Sequence, residues 1–284
     1  MYDNQIHVEL VHKHIVMLYA AFQKRLVLVQ EYAGRGDLYG IYRSLNRRMT
    51  EAQLTHLVLA PFMEALAYLH ARGICHRDVK PENILFTNDW RLLIADFGVS
   101  IDLNQERAVT RAGTLEYMAP EVERCPLKML PEENKDNPQL AYTTAVDIWA
   151  VGVLAYELMV GFPPVVVDSA PGSADAGAGG HGPGGAFLAE HATRKTLSFP
   201  ASTSPHAHDF ISAALAERPE ERPTAVQLSR HPWLAGAAQQ PAPRRSAGQL
   251  NSLNGAPLYP SRLGASSLAS APSSGGVPSS ALVL

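Results

Sequence analysis

The residues best suited to catalysis lie in one short segment. Residues 76–83 read His-Arg-Asp-Val-Lys-Pro-Glu-Asn, an H-R-D-x-x-x-x-N string between a predicted helix and a predicted strand. Phosphoryl transfer to a hydroxyl needs an acceptor for the hydroxyl proton, metal ligands and compensation of phosphate charge. Asp78 could orient and deprotonate the acceptor, Asn83 could offer a neutral oxygen to Mg²⁺, and Lys80 could neutralise the γ-phosphate. All three residues project from one loop, as a compact site requires.

A second carboxylate follows a short strand-like run. Asp96, in Asp96-Phe97-Gly98, could supply another Mg²⁺ ligand, and Gly98 lets the backbone turn there without steric cost. Residues 119–121, Ala-Pro-Glu, close the segment. Alone, an Asp-Phe-Gly tripeptide is usually only a turn, and a His-Arg-Asp tripeptide is usually only a surface loop. Their occurrence together, in this order, indicates phosphoryl transfer.

These motifs resemble those of the protein-kinase superfamily over residues 3–234. The resemblance implies an α+β, protein-kinase-like fold with a mainly helical C-lobe and a truncated N-lobe remnant. It also implies ATP and Mg²⁺ as cofactors. Lys80 makes the loop similar to that of serine/threonine kinases rather than tyrosine kinases. The Arg-Ala-Gly-Thr-Leu-Glu-Tyr string at residues 111–117 and His-Pro-Trp at 231–233 are most similar to Aurora and neighbouring kinases.

The same resemblance implies roles for further residues. Thr114 would contact Asp78 and Lys80, and Asn83 and Asp96 would hold Mg²⁺. The backbones of Glu31 and Ala33 would meet adenine at the hinge, with Gln30 as gatekeeper. The residues implied to be structural are His76, Arg77, Phe97, Gly98, Glu121, Asp147 and Arg222.

Several of these structural roles are specific. Glu121 would pair with Arg222 in the interior, and Asp147 would bond the backbone of the catalytic loop. A regulatory stack would comprise His7, Leu18, Phe97 and His76. The alternative for each of these residues is ordinary core or loop packing.

The resemblance also implies sites for regulation and substrate recognition. Thr110 occupies the position of an activation-loop phosphosite, and Arg77 would help to hold the phosphate. The carboxylates of Asp37, Glu82 and Glu157 would favour protein substrates with basic residues upstream of the acceptor. For Asp37 a helix cap is the alternative, and for Glu82 ordinary loop chemistry.

The hydrophobic pattern predicts the elements that position these residues. Thr50 to Gln53 resembles a helix start, and apolar residues continue from it to Arg72-Gly73. Continuous apolar runs, separated by polar or turn residues, predict the strands. The predicted strands cover residues 15–22, 25–32, 84–86 and 92–94, and further helices cover 143–160 and 206–215.

Composition sets the domain boundaries. We predict an N-lobe remnant over residues 1–33, comprising the end of a helix, two strands and the hinge, and a kinase C-lobe over 34–234. Residues 168–185 are almost entirely Gly, Ala, Ser, Pro and Asp, which predicts a flexible insertion. Residues 235–284 are similarly biased and predict a disordered tail.

Charge and cysteine content exclude several classes of function. The net charge of -3 gives no reason to expect binding to nucleic acid or to a membrane surface. Cys75 and Cys125 are too few for a disulfide framework. The apolar stretch 145–167 contains two carboxylates, which favours a buried core helix over a membrane span. With no signal peptide evident, we expect the cytoplasm or nucleus; the oligomeric state stays open.

The sequence departs from the kinase pattern at its front end. No Gly-rich strand pair or strand lysine precedes residue 15, and the helix glutamate of the family falls at Asp3. A fragment or truncated gene model of an ordinary kinase is one interpretation, with doubtful activity for the chain as written. A catalytically impaired, pseudokinase-like scaffold is another, and a structural module with no nucleotide link is a third.

Scattered histidines suggest one competing site. A metal centre could be formed from His7, His12, His14, His70, Cys75 and His76. Their spacing matches no zinc pattern, so histidines in ordinary helix or loop positions are the alternative that we favour.

Overall fold

The computed structural model describes residues 3–22, 27–128, 130, 132–164, 197–239 and 282–283. Most described residues beyond the first strands belong to a helical body. Its helices are α1 (Asp3–Val8), α2 (Leu38–Ser44), α3 (Glu51–Gln53), α4 (Ala60–His70), α5 (Pro120–Glu123), α6 (Ala145–Val160), α7 (Pro205–Ala214), α8 (Ala225–Ser229) and α9 (Pro232–Gln239). A π-helical turn (Leu54–Leu59) joins α3 to α4, and single 3₁₀ turns form at Pro81–Asn83, Leu115–Tyr117, Pro138–Leu140 and Pro219–Glu221.

Short strands form three small sheets. The strands are β1 (Leu18–Phe22), β2 (Val27–Gln30), β3 (Gly36–Asp37), β4 (Ile74–Cys75), β5 (Ile84–Phe86), β6 (Leu92–Ile94), β7 (Ile101–Asp102) and β8 (Leu282–Val283). The sheet orders are β2-β1-β8, β3-β5-β6 and β4-β7, and every neighbouring pair is antiparallel. The α+β prediction is confirmed.

The predicted amino-terminal hairpin forms as β1 and β2, with Phe22 opposite Val27 and Leu18 opposite Gln30. All four residues of β2 are exposed. The two runs predicted at 84–86 and 92–94 form β5 and β6 with those bounds. The predicted helices at 143–160 and 206–215 form as α6 and α7, each beginning and ending within two residues of the prediction.

The tail prediction needs a correction at both of its described ends. Helix α9 continues through residues 235–239, and residues 282–283 pair with β1. Helix-compatible Ala and Gln follow Trp233, so the helix does not stop at the last aromatic residue. The predicted insertion at 168–185 and the remainder of the tail lie outside the described residues.

The long helix before the catalytic loop begins at Thr50. The Thr50 hydroxyl oxygen accepts the amide of Gln53 at 3.2 Å, and the Gln53 side-chain oxygen accepts the amide of Thr50 at 2.9 Å. This reciprocal cap satisfies two amides that a helix start leaves free. Pro61 has no amide hydrogen to continue the α-helical pattern, and just before it the amide of Ala60 bonds the carbonyl of Thr55 in a π turn.

Helix α6 forms the centre of the core. Every residue from Val146 to Val160 is buried, so the helix carries the carboxylates of Asp147 and Glu157 into the interior. The helix ends at Gly161, whose φ of 109° suits glycine and whose amide donates to the carbonyl of Glu157 at 2.7 Å. Among the described residues, no helix has both the length and the apolar character that crossing a bilayer would need.

Candidate active site

The carboxylate of Asp78 is the centre of the site. Its Oδ1 accepts the hydroxyl of Thr114 at 2.7 Å and the Thr114 amide at 3.0 Å. Its Oδ2 lies 2.8 Å from the Lys80 Nζ and accepts the Asn83 amide group at 2.9 Å. Burial alone would raise the pKa of Asp78, but the hydrogen bonds from Lys80 and Thr114 outweigh it and hold the pKa below its usual value. Asp78 is therefore ionised at neutral pH.

Lys80 and Thr114 also contact each other. The Lys80 ammonium donates to the Thr114 hydroxyl oxygen at 2.9 Å. The structure thus brings together the four residues predicted to act in catalysis, which are Asp78, Lys80, Asn83 and Thr114. Thr114 comes from a different segment, 36 positions after Asp78. The catalytic loop and the segment that follows residue 96 form one constellation.

Asp147 holds the backbone of this loop from below. Its carboxylate accepts the amides of His76 at 2.9 Å and Arg77 at 2.8 Å, and it bonds the His70 ring at 2.8 Å. Burial would raise the pKa of Asp147, but the hydrogen bonds to His70 and to the Arg77 amide lower it. These bonds support Arg77 in a left-handed conformation with φ 69°. The role predicted for Asp147 has the predicted contacts.

Asn83 and Asp96 reach the same end of the β5–β6 pair. Asn83 immediately precedes β5 and Asp96 comes two residues after Ile94 of β6, while Ile84 lies opposite Ile94. The Ala95 amide also bonds the Asn83 carbonyl at 2.9 Å. This pairing of strands explains why two residues distant in the motif string lie at one edge.

Both side chains keep oxygen atoms available. Asn83 uses its NH₂ group to bond the carbonyl and carboxylate of Asp78, both at 2.9 Å. Among the described residues, its Oδ1 accepts no hydrogen bond. Asp96 is exposed and has a backbone φ of 62°. In the part of the chain that the structure describes, its side chain accepts a hydrogen bond only from the Gly98 amide, at 3.1 Å. Hard oxygen ligands of this kind, few in number, suit Mg²⁺ bound together with phosphate.

Three rings of the predicted regulatory stack are in contact. The Phe97 ring lies 4.7 Å from the His7 ring and 5.2 Å from the His76 ring, measured between centroids. His7 bonds the Val16 carbonyl at 2.7 Å and His76 bonds the Ala95 carbonyl at 3.2 Å. Burial lowers the pKa of both histidines, so both are neutral near pH 7. Leu18, the fourth member, is buried.

The predicted hinge follows β2. The Glu31 amide donates to the Met17 carbonyl at 2.8 Å, and the Gly36 amide donates to the Ala33 carbonyl at 3.1 Å. The Glu31 side chain forms an ion pair with Arg91. The Glu31 carbonyl and the Ala33 amide take part in no hydrogen bond within the described chain. Gln30, the predicted gatekeeper, is exposed.

The three carboxylates predicted to bind substrate differ in their surroundings. Asp37 accepts the Gly40 amide at 2.7 Å and so caps α2, which is the alternative role that the sequence offered for this residue. Glu157 is only 9% exposed and accepts the hydroxyl of Tyr117. Burial raises the pKa of Glu157. Glu82 alone is exposed.

Arg77 and Thr110 are linked through a residue that the sequence did not indicate. Arg77 donates to the carbonyl of Val99 and, at 3.1 Å, to the hydroxyl of Tyr142. That hydroxyl donates in turn to the carbonyl of Thr110 at 2.7 Å. The sequence assigned no contact to Tyr142 or Tyr117 and considered His70 only as a metal ligand, because the partner of a tyrosine or histidine cannot be identified from a single sequence.

The histidines of the competing metal site separate into different clusters. His12 and His14 lie 3.8 and 3.9 Å from the Glu64 carboxylate, whereas His70 binds Asp147. Across the described ranges, no group of three or more His, Cys, Asp or Glu residues could hold a metal ion.

Comparisons with known proteins agree with this geometry. A family model described as the protein kinase domain matches residues 2–234. The Aurora kinase of Schizosaccharomyces pombe is 35% identical over 232 residues, 81% of this chain and 57% of that protein. Mouse (Mus musculus) Aurora kinase B is 33% identical over 242 residues, 84% of this chain and 61% of that protein.

Mouse Aurora kinase C is 33% identical over 233 residues, which are 81% of this chain and 73% of that protein. The chain thus spans between 57% and 73% of the length of these three relatives. The predicted similarity to Aurora kinases is confirmed. The family model, which matches most of the chain, and these identities show that the chain belongs to the protein kinase family.

Proposed function

We propose that this chain is the catalytic-loop part of a serine/threonine protein kinase, which transfers the γ-phosphate of ATP to a Ser or Thr hydroxyl of a protein. The observation that carries the proposal is the ionised Asp78 carboxylate, bonded to Lys80, Asn83 and Thr114. The lowered pKa keeps Asp78 ionised at neutral pH, the charge state in which it can orient a hydroxyl and accept a proton.

Each neighbour of Asp78 has a distinct part. Lys80 holds a positive charge 2.8 Å from Asp78, in place to offset negative charge on a transferred phosphate. Thr114 connects the loop to the segment where an acceptor peptide would lie, through its bonds to both Asp78 and Lys80. Asn83 keeps Asp78 in position with its NH₂ group and leaves Oδ1 for a cation.

The residues present fit Mg²⁺ and ATP. The oxygens of Asn83 and Asp96 would hold Mg²⁺, and the Glu31 carbonyl and Ala33 amide would bind the adenine edge. When bound, Mg-ATP supplies the phosphoryl group and much of the charge compensation. The chain's own contribution is to keep Asp78 ionised and to keep Asp96 exposed at the end of β6.

The substrates that we propose are proteins with basic residues before the acceptor. The exposed Glu82 supports this, together with Glu116, also exposed, since both carboxylates lie near enough to Glu157 for their charge to help raise its pKa. An acidic surface of this kind attracts arginine, although each exposed pair contributes only about 0–1 kcal/mol.

A phosphotransfer assay tests the proposal directly. The purified chain is incubated with Mg-ATP and a Ser/Thr peptide library beside Asp78→Asn and a surface control, Glu217→Gln. We expect the chain and the control to be equally active, and Asp78→Asn to lose about 10²–10⁴-fold, the usual contribution of a general base. An Asp78→Asn variant as active as the parent chain would overturn the assignment.

A binding protein of impaired activity is the second candidate. It is favoured by β2, whose Val27, Leu28 and Val29 are 47%, 38% and 42% exposed next to the hinge. In that case the parent chain and Asp78→Asn show the same background activity, while both still bind Mg-ATP in calorimetry. Activity that depends on Asp78 would exclude it.

A further inference from the structure

Tyr142 occupies an unusual place between the two segments that make the active site. It is 5% exposed and lies directly before the residues that start α6. Its backbone amide donates to the carbonyl of Ala108 at 2.9 Å, as an isolated antiparallel bridge. Tyr142 therefore pairs with the activation segment by its main chain, and its side chain extends the contact.

The hydroxyl of Tyr142 has a partner on each side. It accepts a hydrogen bond from the Arg77 guanidinium at 3.1 Å and donates one to the Thr110 carbonyl at 2.7 Å. Burial raises the pKa of Tyr142 to about 12, so the hydroxyl keeps its proton and can donate at any pH near neutral. One oxygen atom thus connects the catalytic loop to the residue predicted as phosphosite.

Two other contacts of this region involve side chains nearer the surface. Lys135 lies 3.0 Å from the Glu106 carboxylate, and the Arg107 guanidinium donates to the Lys135 carbonyl at 3.0 Å. These side chains are at or near the surface, where an ion pair contributes about 0–1 kcal/mol. A hydrogen bond to a buried or partly buried charged group contributes more, and losing one partner leaves the other unsatisfied.

We propose that Tyr142 is a positioning residue whose hydroxyl ties the activation segment to Arg77, so that Thr110 keeps its place beside the catalytic loop while it is unmodified. A phosphate on Thr110 would compete for the same guanidinium. This inference rests on the proposed function. Its test measures local opening of the activation segment and not phosphoryl transfer, so a loss of catalysis and a failure of this inference give different results.

The test is limited proteolysis with trypsin, with cleavage after Arg111 quantified by mass spectrometry. Tyr142→Phe removes only the hydroxyl, and we expect cleavage there to become about tenfold faster, which corresponds to about 1.4 kcal/mol. The matched control is Tyr156→Phe, since Tyr156 is also buried and donates to a distant carbonyl, that of Ser198, at 2.8 Å. The control should leave cleavage after Arg111 unchanged.

Two further measurements separate positioning from general loss of stability. Cleavage after Arg91, which leads into the buried strand β6, reports global unfolding and should stay at the parent rate in Tyr142→Phe. Tyr142→Phe and Arg77→Lys both break the hydrogen bond between Arg77 and Tyr142. Cleavage after Arg111 in the double variant should therefore stay within about twofold of the rate in the faster of the two single variants. Unchanged cleavage in Tyr142→Phe, or two single effects that multiply, would overturn the proposal.

Discussion

Replacing Glu121 by glutamine should destabilise the chain far more than removing a surface charge. The Arg222 side chain is 0% exposed and that of Glu121 15%, and they share two hydrogen bonds of 2.6 and 2.8 Å. Glutamine keeps the shape of the side chain but leaves the buried guanidinium without a counter-charge. Breaking a buried pair in this way costs about 3–5 kcal/mol.

Thermal unfolding followed by circular dichroism measures this loss. For a domain of this size each kcal/mol shifts Tm by about 2–4 °C, so Glu121→Gln should lower Tm by roughly 6–20 °C. The control is Glu217→Gln, which removes a 3.9 Å pair with Arg124 whose side chains are 65% and 74% exposed. An exposed pair contributes about 0–1 kcal/mol, so the control should shift Tm by no more than about 4 °C.

A second variant makes the reasoning sharper. Arg222 also donates to three backbone carbonyls, those of Ala216, Ala145 and Glu217. Arg222→Met should therefore be at least as destabilising as Glu121→Gln, because it strips donors from those carbonyls as well as from Glu121. If Glu121→Gln lowers Tm no further than the surface control, the argument from burial is refuted.

Three further predictions concern nucleotide, activation and substrate. In calorimetry the Kd of the chain for Mg-ATP should be higher than low-micromolar, and Asp96→Asn should raise that Kd further; a low-micromolar Kd for the parent chain would contradict this. In a chimaera with a complete kinase small lobe, Thr110→Ala should lower the phosphotransfer rate at least about tenfold, since phosphate at that position adds charge-assisted bonds; a rate equal to that of the parent chimaera would show that Thr110 is an ordinary loop residue. On a peptide array the same chimaera should prefer acceptors with upstream arginine, and Glu157→Gln and Asp37→Asn should each reduce that preference by up to about fivefold. No preference over upstream glutamate, or no change in both variants, would mean that these carboxylates do not read the substrate.

The catalytic constellation could be predicted because its chemistry is local in sequence. Asp78, Lys80 and Asn83 lie within one loop, and the distances between them follow from that loop alone. Asp96 could be placed because β5 and β6 are adjacent strands joined by a short turn. Thr114 needed the family resemblance, since no local pattern brings a residue 36 positions away to 2.7 Å from Asp78.

The surroundings of the predicted substrate carboxylates could not be predicted in the same way. Glu157 lies on helix α6, which is buried on all sides. The apolar sequence of that helix predicts its burial but does not identify the residue that bonds the buried Glu157 carboxylate. That residue is Tyr117, from another segment. Asp37 sits at the start of α2, where capping is a strong local preference, and its bond to Gly40 satisfies that preference. Tertiary burial decides the first case and local helix chemistry the second.

The charge state of the catalytic loop follows from these contacts before any nucleotide binds. Asp78 and Asp147 are each desolvated, which on its own would favour protonation, yet hydrogen-bond donors hold the pKa of both below the usual value. His7 and His76 are desolvated without enough compensating negative charge, so burial lowers their pKa and they stay neutral. Near pH 7 the carboxylates of Asp78 in the loop and of Asp147 on α6 are therefore both negatively charged, and the Lys80 cation lies 2.8 Å from Asp78. The donors around Asp78 hold its carboxylate in one orientation before any substrate binds, and such preorganisation is the condition under which electrostatic stabilisation contributes most to catalysis.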